Sequence, residues 1–325
     1  MLLFSLGLIL GLVLLVWSAD KFVDGATSLA MHLGMPTLLI GILIVGFGTS
    51  APEIAVSSIA ALNDTPALAM GNALGSNTAN IGLILGISAL IAPISLHSNV
   101  MKKNILLSLF ISLLAGYMLF NASLSFSEGV VLLVALFSFI GWTIRGGLKT
   151  RKDSLINEME DEISHKTMSL TMSILLLVLG LFLLVGSSQL LVWGAVGIAT
   201  ILGVSDLIIG LTIVALGTSL PELATSIAAV KKGESDIAIG NVVGSNIFNI
   251  LAVMGVASVI APNGALEPEI FYRDWSVMFA MTLALFLMAY GGKRENNRIG
   301  IEKGAILLLG YGAYTIYLAM GAIAL

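Results

Sequence analysis

The chain has 325 residues, of which 58% are hydrophobic and 10% charged, and its mean hydropathy is +1.03. No water-soluble domain of this size presents such a composition without aggregating, so the chain reads as an integral membrane protein. Zero cysteines exclude disulfides, thiol catalysis and cysteine-held metals, and the net charge of −4 matters less than where the charges sit.

The apolar runs are continuous, about 18 to 25 residues each, as helices crossing a bilayer require and alternating barrel strands do not. Ten spans are predicted, at 2–24, 37–62, 67–92, 103–120, 127–147, 169–192, 206–230, 236–260, 274–290 and 300–322. The first sixteen residues carry no Lys or Arg, so they read as the start of span one and not as a cleaved signal. Asp20 and Asp24, one turn apart near the predicted end of that span, read as a solvated helix end or mouth in preference to ion ligands.

Span two contains Gly41-Ile-Leu-Ile-Val-Gly-Phe-Gly-Thr-Ser-Ala-Pro-Glu-Ile-Ala-Val-Ser57, and span three contains Gly71-Asn-Ala-Leu-Gly-Ser-Asn-Thr-Ala-Asn80. Both are written a second time, as Gly210 to Ser226 in span seven and Gly240 to Asn249 in span eight, at one constant offset (222 − 53 = 169). Span one matches span six at the same offset, for example Gly25 with Gly194. The long polar stretch from Lys149 to Lys166 falls between the copies.

All basic residues except Lys21 and Arg273 follow odd-numbered spans, which places those loops in the cytoplasm and both termini outside. Five spans per copy is an odd number, so the second copy enters the membrane upside down. The expected fold class is therefore an all-α polytopic membrane protein with ten transmembrane helices in two inverted five-helix repeats. Residues 1–147 form the first repeat, 148–168 a cytoplasmic linker and 169–325 the second. Inverted repeats recur in secondary transporters, with the site near the midplane where the halves meet.

The chemistry lies in the repeated motif. An intramembrane carboxylate costs about 3 kcal/mol on insertion scales and is a functional hypothesis by default. Here there are two, Glu53 and Glu222, each directly after a proline. Pro52 and Pro221 remove a backbone N–H, so both helices should break and free carbonyls beside each Glu. The surrounding inventory is all oxygen: Thr49, Thr218, Ser50 and Ser219, joined by Ser76, Asn77, Asn80, Ser245, Asn246 and Asn249. Hard cations want such ligands, whereas zinc or copper wants His or Cys, and His32, His97 and His165 all fall in predicted loops. Two carboxylates match one Ca²⁺, or several Na⁺ or H⁺ in its place, so ion exchange over a shared site is the natural mechanism. For Asn77 and Asn246 interhelical hydrogen bonding stands beside the ligand reading, and Gly71, Gly75, Gly240 and Gly244 read as packing. Glu128 reads as interfacial, and Trp17, Trp275 and Tyr317 as interfacial anchors.

The doubled Gly-Thr-Ser-x-Pro-Glu with Gly-Asn-x-x-Gly-Ser-Asn-x-x-Asn resembles the alpha repeats of the calcium/cation antiporter superfamily, in particular its small prokaryotic sodium/calcium exchanger-like members. The resemblance covers essentially the whole chain. It implies Glu53 and Glu222 as shared Ca²⁺ and Na⁺ ligands, flanked by carbonyls or side chains of Thr49, Thr218, Ser50 and Ser219. It implies Ser76 and Ser245 at flanking Na⁺ sites and Asn80 and Asn249 lining the middle. Some members carry Asp at one of that last pair; here both are Asn, which removes a third carboxylate. The linker is too short for a calcium-sensing domain.

The expected function is Ca²⁺ export against Na⁺ by alternating access in the cell membrane. Its partners are inorganic cations and the lipid bilayer, with no cofactor, no nucleic acid and no obligatory protein partner. Ca²⁺/H⁺ exchange is the alternative, since buried carboxylates also carry protons. An intramembrane enzyme or a passive channel is a distant one.

Overall fold

The computed structural model describes residues 1–96, 99–157, 168–203, 215–263, 266–291 and 298–323. Helix α1 (Leu2–Leu33) is uninterrupted and contains no proline. It extends well past the predicted end near residue 24 and stops only at Gly34, whose φ of 58° lies in the left-handed region. There the N–H of Met35 donates to Ala30 O at 3.0 Å and that of Gly34 to Met31 O at 3.1 Å, the closing bonds that glycine permits. His32 accordingly lies in the last turn of a helix, not in a loop, and His97 and His165 lie outside the described residues.

The second predicted span is two helices, α2 (Thr37–Thr49) and α3 (Ala51–Leu62), bent by 42° where Pro52 denies Gly48 its partner. After them come α4 (Pro66–Ile91), α5 (Asn99–Leu119) and α6 (Phe126–Asn157). A capping box starts α6: Ser125 N–H donates to Glu128 Oε2 at 2.8 Å, and Glu128 N–H donates to Ser125 Oγ at 3.3 Å. Glu128, expected as merely interfacial, thus has a structural task. Helix α6 also carries on through Asn157, into the stretch expected as linker.

The second half runs α7 (Leu170–Ile201), α8 (Ala215–Thr218), α9 (Leu220–Lys231), α10 (Ser235–Ile260), α11 (Ile270–Tyr290) and α12 (Ile301–Ile323). A two-residue antiparallel pair, β1 (Ile94–Ser95) with β2 (Arg298–Ile299), ties the end of α4 to the start of α12. Among the described residues eight helices are long and apolar enough to cross a membrane, nine if α2 and α3 make one span. The remaining predicted span, 206–230, begins in residues outside the described ones; its described part is α8 and α9.

Burial separates a core from a periphery. The most apolar windows of α4 and α10 are 72% and 83% buried, against 28% and 22% for α1 and α7, so α4 and α10 form the centre. Three π-helical turns sit in this centre, at Gly41–Gly46, Asn80–Leu85 and Asn249–Met254, the last two at matching positions of the sequence repeat. Such turns concentrate at functional sites.

Helices α1 and α7 pack antiparallel, and their contacts recur under the 169-residue shift. A Cβ on Gly25 would stand 2.6 Å from Leu177 N and 2.9 Å from Ser173 O; on Gly194, 2.6 Å from Leu8 N and 2.6 Å from Phe4 O. Trp275, expected as an interfacial anchor, instead stacks between Phe271 and Phe279 and donates its indole N–H to Ser112 O at 2.8 Å. Trp17 and Tyr317 are exposed as expected.

Backbone so close at Gly25 and Gly194 leaves no flexible group to yield. Gly194→Val should lower stability by about 1–3 kcal/mol, read as a lower melting temperature of the detergent-solubilised protein. Gly141→Ala, whose Cβ would meet nothing within 4 Å among the described residues, should not lower the melting temperature and should raise it slightly, since Ala favours a helix over Gly.

Candidate functional site

The broken helices start twice at the centre of the bundle. Ser50 (φ −82°, ψ 1°) precedes α3 and Ser219 (φ −91°, ψ 5°) precedes α9, so the backbone departs from the helix in the same way at both. Glu53 and Glu222 stand in the first turns of α3 and α9, where a helix's positive end favours a carboxylate. Each is only 1% exposed.

The two halves face each other across this point. The Glu53 and Glu222 carboxyls are close enough to interact electrostatically; Thr218 faces Glu53, while Thr49 and Ser50 face Glu222. Both oxygens of Glu53, Oε2 of Glu222, the hydroxyls of Ser50 and Ser219, and Oδ1 of Asn80 and Asn249 are buried with no hydrogen-bond partner among the described residues. Leaving a buried polar group unsatisfied costs about 1–3 kcal/mol, more when it is charged. Seven such oxygens, drawn from both halves, are a concentration that helix packing alone does not require.

The Asn80 and Asn249 acceptors are held by a crossed set of amides. Asn80 Nδ2 donates to Asn246 Oδ1 at 3.0 Å, and Asn249 Nδ2 donates to Asn77 Oδ1 at 3.0 Å. Asn77 Nδ2 donates to Asn246 O at 3.0 Å, and Asn246 Nδ2 returns to Asn77 O at 3.5 Å. Asn77 and Asn246 therefore make the interhelical bonds that stood as one of their two readings. Their bonds leave the oxygens of Asn80 and Asn249 without a donor among the described residues.

Ser245 Oγ donates to Gly46 O at 3.1 Å and lies 3.4 Å from Thr49 Oγ1, which joins α10 to the end of α2. Ser76 is buried on α4 one turn before Asn80. Gly240 and Gly244 are packing positions as expected: a Cβ on either would stand 2.7 or 2.6 Å from Leu38 O or Ile42 O. Gly71 and Gly75 were expected to pack in the same way, but a Cβ on either would meet nothing within 4 Å among the described residues beyond its own helix backbone.

The freed carbonyls are not equivalent. Ser188 Oγ of α7 donates to Gly217 O at 2.8 Å, closing off the carbonyl that Pro221 leaves without a partner. At the matching position of α1 stands Ala19, which has no hydroxyl.

Asn72 and Asn241 were not among the predicted site residues, though both lie within the repeated motif. Asn72 Nδ2 donates to Glu53 O at 3.3 Å and Ser57 Oγ at 2.9 Å; Asn241 Nδ2 donates to Glu222 O at 3.1 Å and Ser226 Oγ at 2.9 Å. Asp20 and Asp24 lie away from this centre. Lys232, at the end of α9, reaches Asp20 Oδ1 at 2.7 Å and Asp24 Oδ1 at 2.5 Å, an ion-paired link from α1 to the core.

No group of three or more His, Cys, Asp or Glu among the described residues is placed to hold a metal ion. Any cation here depends on two carboxylates and neutral oxygens, a donor set for hard ions.

Residues 3–145 and 172–320 match the family of sodium/calcium exchanger proteins. The chain belongs to that family. The two matched segments begin 169 residues apart (172 − 3), the offset of the motif repeat. Among relatives of this exchanger-family chain, the putative antiporter CaxA of Alkalimonas amylolytica is 46% identical over 97% of this chain and 98% of its own length. The inner membrane protein YrbG of Escherichia coli (strain K12) is 40% identical over 98% of this chain and 97% of its own. A structure of the sodium-calcium exchanger NCX_Mj, soaked with zero Na⁺ and Ca²⁺, superposes with a TM-score of 0.84 at 34% identity, covering 98% and 99% of the two chains. The family and the names of CaxA and NCX_Mj are those of transporters, not enzymes.

Removing one amide of the crossed set orphans its partner. Asn77→Leu leaves Asn249 Nδ2 without its acceptor and should cost about 1–3 kcal/mol, read from thermal unfolding in detergent.

Proposed function

We propose that this chain is a secondary active antiporter that exchanges Ca²⁺ for Na⁺ by alternating access at a site shared by Glu53 and Glu222. The observation that carries the reading is the set of buried oxygens at and around those two carboxylates that have no hydrogen-bond partner among the described residues, drawn from both halves. Thr49, Thr218, Ser50, Ser219, Ser76, Ser245, Asn80 and Asn249 complete the ligand set, with Na⁺ and Ca²⁺ as the transported ions and no cofactor.

Coupling follows from charge. A site with two carboxylates and no cation is a double negative charge in a medium that solvates charge poorly, and moving it through a closed state is costly. One Ca²⁺ neutralises it, as do Na⁺ ions arriving in its place. The protein therefore crosses between its open states only when loaded, and each Ca²⁺ released in one direction requires Na⁺ taken in the other.

The architecture proposed for this cycle has ten transmembrane helices in two inverted five-helix repeats, 1–147 and 169–325, joined by a linker over 148–168. Both termini face the extracytoplasmic side of the cell membrane. The reciprocal contacts of Gly25 and Gly194, and the matched breaks at Ser50 and Ser219, support that symmetry. In alternating access α1 and α7 would move as a pair over the core.

Glu53→Gln and Glu222→Gln should each lower Na⁺-driven ⁴⁵Ca²⁺ uptake into everted vesicles by at least about thirtyfold, because truncating one of two groups that share a buried charge costs about 2–5 kcal/mol. Full uptake in both variants would end the two-carboxylate reading. In proteoliposomes a Na⁺ gradient should drive Ca²⁺ flux; flux driven by a pH step without Na⁺ would put H⁺ in the place of Na⁺.

A further inference from the structure

Thr49 has a single hydroxyl proton and several acceptors within reach. Val45 O and Asn241 Oδ1 both lie at 3.0 Å and Gly46 O at 3.4 Å, and the Glu222 carboxyl is close by. A hydroxyl that donates to Glu222 presents its hydrogen toward the site and offers a cation little. One that donates elsewhere presents lone pairs.

Asn241 is fully buried. Its two amide hydrogens are committed to Glu222 O and Ser226 Oγ, at 3.1 and 2.9 Å, so its orientation is fixed and Oδ1 must point at Thr49. If Thr49 donated to Val45 O instead, Asn241 Oδ1 would lose its hydrogen at a cost of about 1–3 kcal/mol. The carbonyl of Val45, in contrast, sits in a helical turn with other N–H groups at hand.

We propose that Asn241 is a positioning residue of the exchange site: it receives the Thr49 proton when a cation lies against Glu222, so that the Thr49 oxygen turns its lone pairs to the ion. Asn72 holds the matching backbone on the other side, donating to Glu53 O and Ser57 Oγ. Asn241 thus links a hydroxyl of the first half to the carboxylate-bearing helix of the second. This inference rests on the two-carboxylate reading above.

The residue type matters on both sides of the carboxamide. Asp at 241 would keep an acceptor for Thr49 but lose both donors and set a third negative charge beside Glu222. Leu would fill the space and supply neither.

The test is the Na⁺ dependence of ⁴⁵Ca²⁺ uptake in proteoliposomes, compared among Asn241→Ala, Thr49→Ala and the double variant. Each single change should raise the half-saturating Na⁺ concentration about tenfold, the equivalent of one well-placed hydrogen bond, and the double change should raise it no further. Effects that multiply in the double variant would overturn the proposal, because Asn241 would then act without Thr49. Wild-type Na⁺ dependence in Asn241→Ala would overturn it as well. If that variant is not monodisperse, Asn241→Ser carries the same expectation, and failure of both to fold would make Asn241 a packing residue and overturn the proposal. An inactive Glu222→Gln beside an unaltered Asn241→Ala removes only this inference; full activity in both Glu53→Gln and Glu222→Gln removes the reading on which it rests.

Discussion

Two carboxylates placed against each other inside an apolar bundle are the constraint on which the other features depend. Glu53 and Glu222 are each 1% exposed in a chain that is 58% hydrophobic. Burying an ionised carboxylate without compensation costs many kcal/mol, so the surroundings must supply dipoles, hydrogen bonds or counter-charge. The chain supplies helix N-termini at α3 and α9 and hydroxyls from the opposite half, while the amide oxygens of Asn80 and Asn249 add further unpartnered acceptors. Every one of these contributions recurs on the other side at the sequence offset of the motif.

Much of this was legible in the sequence because its cause is local. Pro52 and Pro221 break their helices wherever they occur in a long apolar run, and the 42° bend at Ser50 is what the missing N–H predicts. A repeated motif around each proline was enough to expect a paired site. The end of α1 was also written in the chain, in Gly34 and Pro36, but the hydropathy drop at Asp20 and Asp24 masked it. Those aspartates do not end the helix because Lys232, more than two hundred residues away in sequence, neutralises them. A Ser-x-x-Glu at Ser125 to Glu128 likewise marked the start of α6.

The rest depended on contacts between distant segments. The π-helical turn at Gly41–Gly46 lies where Gly240 and Gly244 of α10 let its backbone pass, and no residue within the turn announces it. The roles of Asn72 and Asn241 were hidden for a similar reason: their acceptors lie on the preceding helix, and an Asn in a Gly-Asn pair reads equally well as packing. Nor is the duplication a perfect copy in chemistry. Ser188 donates to the Gly217 carbonyl, whereas the matching residue in the first half is Ala19 and the Gly48 carbonyl takes a backbone N–H at the end of α2.

The central claim is that the two halves hold one cation between them and that Na⁺ and Ca²⁺ compete for it. Equilibrium binding of ⁴⁵Ca²⁺ to the purified, detergent-solubilised protein tests it without transport. A single Ca²⁺ per chain, displaced by rising Na⁺, is the predicted result; two independent Ca²⁺ per chain, or binding indifferent to Na⁺, would contradict it.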